Sequence, residues 1–119
     1  MKTLYVSDLD GTLLRSDETI SEYTAQTINR LTTEGMLFSY ATARSYHTAK
    51  KVTKGLEAKI PLIVYNGAFI LDNVTGEVMC SNFYGEEAKV ILDDFIGNGL
   101  YPIVFSYIDC VENFSFFPD

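Results

Sequence analysis

The stretch Val6-Ser7-Asp8-Leu9-Asp10-Gly11-Thr12-Leu13-Leu14 decides how this 119-residue chain reads. An apolar, β-prone segment, Thr3 to Ser7, runs into it and suits a buried strand. The two carboxylates that follow, at i and i+2, lie on one side of an extended backbone. Like charges that close repel each other and favour a divalent cation. A site of few carboxylates suits magnesium, which keeps several waters and shares a substrate phosphate. Gly11 lets the backbone turn sharply after the acids, and Thr12 can hydrogen-bond locally to hold that turn. A solvated turn at a strand end is the plain alternative for Asp-Leu-Asp-Gly taken alone. The apolar strand before it, and Thr12-Leu13-Leu14 after it, weigh against that alternative.

Outward from this stretch, Leu9 to Ile20 reads as a loop or small hairpin. Ser21 can cap a helix running to about Glu34, with Ala25, Ile28, Leu31 and Thr32 on one face, and Gly35 stops it. Met36 to Ala41 is a second strand. Ser45 can cap a helix to Lys54, closed by Gly55, and Pro61 introduces a third strand, Leu62 to Tyr65. Apolar strands joined by helices imply an α/β fold with a parallel sheet covered on both faces. In such sheets ligands bind outside the carboxyl ends of the strands, where Asp8 and Asp10 sit. Beyond Asn66-Gly67 the texture changes to α+β. A hairpin is expected over Ala68–Leu71 and Glu77–Cys80, a helix over Glu86–Ile96 with Ala88, Ile91, Leu92 and Phe95 inward, and strands over Tyr101–Tyr107 and Val111–Phe117. A second domain is expected to begin near residue 80, which divides the chain into residues 1–79 and 80–119.

Composition narrows the function classes. With 47% hydrophobic and 21% charged residues the chain is not a disordered one, and its length suits one domain or slightly less. A net charge of -7 argues against nucleic acid or an anionic membrane as partner, since both attract basic surfaces. A small phosphorylated ligand stays open, because a metal ion can carry the positive charge. Apolar runs such as Pro61 to Tyr65 fall far short of the ~20 residues that span a bilayer, and the N-terminus lacks the pattern of a signal peptide. A cytoplasmic location is expected. Cys80 and Cys110 have neither metal-type nor redox-type spacing and read as reduced, structural residues.

The opening stretch resembles the first motif of the haloacid dehalogenase superfamily, an apolar strand followed by Asp-x-Asp-Gly-Thr. Phe38-Ser39-Tyr40-Ala41-Thr42-Ala43-Arg44 is similar to the second motif, which in the Cof-type phosphatase branch usually reads Thr-Gly-Arg; Ala43 stands here in place of the glycine. Pro61 to Ala68, with Asn66-Gly67-Ala68, resembles a segment of the same branch that follows strand three. The three matches fall in order over roughly the first 70 residues. The resemblance implies part of a Rossmann-type parallel sheet, three N-terminal strands, followed by the start of an α/β cap.

It also implies phosphoryl transfer through an aspartyl-phosphate. Carried over, Asp8 is the nucleophile, and Asp10 is the general acid for the leaving alcohol and then the base for the hydrolytic water. Mg2+ would be held by Asp8 and by Asp10, the latter through its backbone carbonyl. Thr42 would donate its hydroxyl to a phosphoryl oxygen, and N–H groups around Leu9, Asp10 and Gly11, beside Thr12, would cradle the phosphate. Arg44 would reach the phosphate or orient the loop; a surface arginine opening a helix is the equal alternative. Asn66 would bind substrate or hold its loop, and a simple tight turn is the alternative there. His47 reads as a surface or packing residue. Phe105, Tyr107, Phe114, Phe116 and Phe117 read as core or interface, and Glu86, Glu87, Asp93 and Asp94 as a solvated helix face.

The family's later lysine motif and its Gly-Asp-x-x-Asn-Asp-like acidic motif have no counterpart in these 119 residues; the one lysine after residue 70 is Lys89. The expectation is therefore a truncated form, the N-terminal part of a longer phosphatase of small phosphorylated metabolites, doubtful as a catalyst alone. Its alternative is a non-catalytic binding or interaction module retaining half of the active site. Without later strands, strand one becomes an exposed edge, so self-association or a complementary C-terminal fragment is expected as partner.

Overall fold

The computed structural model describes residues Lys2 to Phe116. These fall into two compact units, one ending at Phe83 and the other starting at Tyr84. The first carries β1 (Leu4–Ser7), α1 (Glu22–Thr33), β2 (Leu37–Tyr40), α2 (Tyr46–Val52), β3 (Leu62–Val64), β4 (Phe69–Leu71) and β5 (Val78–Ser81).

The helices start where hydroxyls can satisfy the open N–H groups of their first turns. Ser21 Oγ accepts the Thr24 N–H at 3.1 Å, and Ser45 Oγ accepts the Thr48 N–H at 3.1 Å. Helix α1 buries Ala25 and Ile28, half of the expected apolar face, while Leu31 and Thr32 are half-buried. The Asn29 amide ties this helix to the loop after α2, donating to Gly55 O and accepting from the Glu57 N–H, both at 2.8 Å.

Strands β1 and β2 pair in parallel, from Leu4 beside Leu37 to Ser7 beside Tyr40. The third expected member of that sheet behaves differently, which corrects the three-stranded parallel arrangement. β3 meets β2 at a single parallel bridge, Ala41 to Ile63, with the Thr42 N–H donating to Ile63 O at 3.0 Å. It then pairs antiparallel with β4, and β4 pairs antiparallel with β5. Pro61 has no N–H to extend a ladder before Leu62, and the chain turns back immediately after Val64. β2 and β3 therefore share little length, while β4 returns beside β3 over its full three residues.

Under the carboxyl ends of β1 and β2 lies one core, built on Leu9, Leu14, Tyr40, Ala49, Leu62, Val64, Phe69 and Leu71. The faces of β1 are open. Leu4, Tyr5 and Val6 are 51%, 55% and 48% exposed, and among the described residues β1 pairs along one edge only.

The second unit holds α3 (Glu87–Gly97), β6 (Val104–Ile108) and β7 (Val111–Ser115). None of the residues expected to face inward from α3 is buried: Ala88 and Leu92 are half-buried, and Ile91 and Phe95 are exposed. β6 and β7 form a hairpin whose two turn residues, Asp109 and Cys110, have φ of 50° and 62°. Positive φ at both positions matches the twist of tight hairpins. Phe105, Tyr107, Phe114 and Phe116, expected in a core or interface, are exposed and so not part of a core, with ring centroids 6.3 Å apart for Phe105 and Phe114 and 6.2 Å for Phe114 and Phe116. Phe117 lies outside the described residues. Cys80, Cys110 and His47 are exposed, and among the described residues no helix is long and apolar enough to cross a membrane.

Candidate active site

Leu9 organises the site by being hidden. Its side chain is fully buried in the core, while Asp8 and Asp10 on either side are exposed. The alternation of an extended backbone thus directs both carboxylates out of the fold at the end of β1. The following residues make a wide turn that the Leu14 N–H closes on Leu9 O at 2.9 Å. Main-chain bonding of this kind, not the Thr12 hydroxyl, holds the turn. Gly11 sits in it at φ +75°, a conformation that side-chain-bearing L-residues adopt at a cost. The turn pins Leu9, and Leu9 pins the acids.

Asp8 Oδ1 accepts the N–H of Leu9 at 2.7 Å. One of the amides expected to cradle a phosphate is therefore already engaged by the carboxylate beside it. Among the described residues, Asp8 Oδ2 accepts no hydrogen bond and remains available to a ligand.

Asp10 is engaged on both oxygens. Arg44 Nε donates to Oδ2 at 2.8 Å and Arg44 Nη2 donates to Oδ1 at 2.6 Å. This side-on, two-point pairing is the strong form of a carboxylate–guanidinium contact. The hydrogen bonds from Arg44 hold the Asp10 carboxyl below its ordinary pKa, and the same bonds raise that of the guanidinium. Arg44 Nη2 also lies 3.2 Å from Glu18 Oε1. Arg44 is expected from sequence either to reach the phosphate or to orient the loop; its contacts are those of an orienting group. Glu18, eight residues beyond Asp10, has no motif-like signal in the sequence, because only the fold brings it to Arg44.

Thr42 is 4% exposed and sits just beyond β2. Its Oγ accepts the Arg44 N–H at 3.1 Å, which leaves the hydroxyl proton free to be donated elsewhere. The β3–β4 turn is hung from the same residues: the Tyr65 N–H donates to Arg44 O and the Asn66 N–H to Thr42 O, each at 3.0 Å. Asn66 takes φ 54° and ψ 32°, the left-handed conformation of a tight turn.

An open cleft of about 480 Å³ lies at this end of the strands, lined by Asp8, Asp10, Thr42 and Asn66 together with Ala41 and Gly67. Four residues from three separate segments of sequence therefore face one space. Leu9, Gly11, Thr12 and Arg44 stand behind or beside it and do not line it. Among the described residues, no cluster of three or more acidic, histidine or cysteine side chains is set to hold a metal. The donors that fit magnesium are the free oxygen of Asp8 and main-chain carbonyl oxygen, since a magnesium ion accepts one or two protein ligands and fills its shell with water and phosphate. The side chain of Asp10, occupied by Arg44, does not add to that set.

The chain is similar to known proteins in both sequence and fold. The sequence matches the haloacid dehalogenase-like hydrolases over residues 5–113. It is 42% identical over 67 residues to a 5-amino-6-(5-phospho-D-ribitylamino)uracil phosphatase of Bacillus subtilis (strain 168), a match covering 56% of this chain and 25% of that protein. A second Bacillus subtilis phosphatase of the same name is 31% identical over 94 residues, covering 79% of this chain and 32% of its own. Among solved structures, a haloacid dehalogenase-like hydrolase from B. subtilis shares the fold with a TM-score of 0.73 and 26% identity, over 90% of this chain and 38% of that one. A Thermotoga maritima protein gives a TM-score of 0.67 and 28% identity, over 94% of this chain and 41% of that one. The chain spans a quarter to a third of the length of these curated phosphatases. The chain belongs to the haloacid dehalogenase-like hydrolase family.

Proposed function

We propose that this chain carries the nucleophile half of a magnesium-dependent phosphatase acting on small phosphorylated metabolites through an aspartyl-phosphate. The observation that carries the reading is the convergence of Asp8, Asp10, Thr42 and Asn66 on one cleft. Asp8 Oδ2 attacks phosphorus, the P–O bond to the substrate alcohol breaks, and an acyl phosphate forms on Asp8. Water then attacks that phosphorus, which frees inorganic phosphate and restores the carboxylate. Asp10 handles the proton in both halves, giving one to the leaving alcohol and taking one from the water. The Arg44 pair favours its ionised form, the form needed for the second half. Protonation for the first half requires that pair to loosen. Thr42 gives its free hydroxyl proton to a phosphoryl oxygen, and Asn66 meets the rest of the substrate. Magnesium held at Asp8 and the Asp10 carbonyl would supply positive charge against the phosphate.

The named relatives' phosphoribityl substrate is a phosphate monoester, in keeping with this substrate class. The core-and-cap division belongs to the same proposal. Strand β5 pairs with β4 as far as Ser81, which favours drawing the boundary a few residues after 79. A cytoplasmic location is part of this proposal as well. The lysine and acidic groups that complete such a site would come from a complementary C-terminal segment, and the open edge of β1 is where it would add a strand. Light scattering on the chain alone tests the open edge: self-association supports it, and a clean monomer at high concentration counts against it.

The central test is hydrolysis of p-nitrophenyl phosphate by the chain with and without magnesium, beside Asp8→Asn. Magnesium-dependent turnover abolished by Asp8→Asn supports the enzyme. Turnover no higher than in that variant supports the other reading, a non-catalytic module with half a site. Loss of one charge-stabilising group at such a site costs about 10²–10³ in rate, so the assay must reach that depth.

A further inference from the structure

We propose that Glu18 is a positioning residue for Asp10 that acts through Arg44. The proposal rests on the phosphatase reading for what Asp10 does, but not for the contact itself. Arg44 Nη2 serves two carboxylates, Asp10 Oδ1 at 2.6 Å and Glu18 Oε1 at 3.2 Å. A guanidinium tied to one exposed carboxylate moves with it. Tied also to a second carboxylate farther along the 9–20 connection, it becomes an anchor. The main chain of Arg44 is fixed as well, with its N–H on Thr42 Oγ and its carbonyl accepting the Tyr65 N–H. The head group is the one part of the residue that Glu18 has left to hold.

The loop that bears Glu18 is built to present it. The Arg15 N–H donates to Thr19 O at 2.9 Å and the Glu18 N–H to Arg15 O at 3.0 Å, so residues 15–19 close on themselves. Asp17 locks this turn, accepting from Arg15 Nη2 at 2.8 Å and from the Thr19 hydroxyl at 2.6 Å. Glu18 itself takes φ 59°, a left-handed conformation that an L-residue adopts only when its surroundings require it. Within the turn Arg15 and Asp17 pair with each other, while the Glu18 carboxylate reaches Arg44.

The test follows the Arg44 Nε–H, which donates to Asp10 Oδ2, by its exchange with water in the ¹⁵N-labelled chain; Arg44→Lys assigns the signal. Glu18→Gln and Glu18→Ala are expected to speed that exchange about two- to fivefold, the weight of one exposed ion pair. Arg30→Gln, which breaks the exposed Arg30–Glu34 pair on α1 and leaves the 15–19 turn intact, should leave it unchanged. Glu18 is 68% exposed in its side chain, so its variants should melt with the parent. Exchange unaltered in both Glu18 variants, or altered equally by Arg30→Gln, overturns the proposal. If the parent hydrolyses p-nitrophenyl phosphate, Glu18→Gln should change kcat by a similar factor at constant KM; a fall in exchange protection with kcat unchanged also overturns it. A parent with no turnover refutes the phosphatase reading alone, and the exchange result then decides this one.

Discussion

Replacing Leu9 by alanine should unfold the site from below. Leu9 is completely buried, so the whole side chain counts. Removing three carbons at roughly 0.8 kcal/mol each gives about 2.4 kcal/mol. The cavity left among Leu14, Tyr40, Leu62 and Val64 raises the loss to about 3–4 kcal/mol. With a urea dependence of about 1.5 kcal/mol per molar for a chain of this size, the unfolding midpoint should fall by roughly 2 M. Circular dichroism during urea titration reads it directly. The flanking acids supply an internal contrast. Asp8→Asn keeps an oxygen to accept the Leu9 N–H and lies on the surface, so its midpoint should move by no more than about 0.5 kcal/mol equivalent. If Leu9→Ala costs under about 1 kcal/mol, or if Asp8→Asn costs more than Leu9→Ala, the acids are not held by the burial of the residue between them.

Three further outcomes are expected. Asp17 is held down to about 2, mainly by its hydrogen bond from Arg15, so the ionised form is the one the fold favours. Its contribution to the 15–19 turn is complete above its ordinary pKa of 3.8 and fades as pH falls toward about 2; in Arg15→Gln the carboxyl carbon should titrate at higher pH by NMR. Gly11→Ala meets no neighbour within 4 Å, so its cost is the left-handed backbone alone, about 1 kcal/mol by thermal melting. Cys110→Gly relieves the same strain at the second position of the β6–β7 turn and should stabilise that unit by up to about 1 kcal/mol, read from the melting of its hairpin amides.

Much of the first unit is legible in local sequence because local chemistry builds it. Ser21 and Ser45 announce helices whose first turns they then satisfy, and the spacing of Asp8, Leu9 and Asp10 already separates the two faces of the chain. Long-range partnership is less legible. Nothing in Leu62-Ile63-Val64 says that it will touch β2 once and then pair with the chain that follows, because both neighbours present similar apolar sequence. Arg44 looks equally suited to a phosphate or a carboxylate until the fold brings Asp10 and Glu18 to it. Glu18 is one acid among several in a polar loop. The aromatic residues of β6 and β7 have the composition of a core, yet those among the described residues are exposed.

The single bridge between Ala41 and Ile63 gives the cleft a common clock. Thr42 donates its N–H to Ile63 O across that seam, and its own carbonyl accepts the Asn66 N–H. Whatever event parts the parallel pair from the antiparallel sheet breaks these bonds together. The threonine hydroxyl and the asparagine that face the cleft therefore lose their places at the same instant. Amide exchange at Thr42 and Asn66 should report one shared lifetime, which is also the longest time for which the cleft can keep its shape.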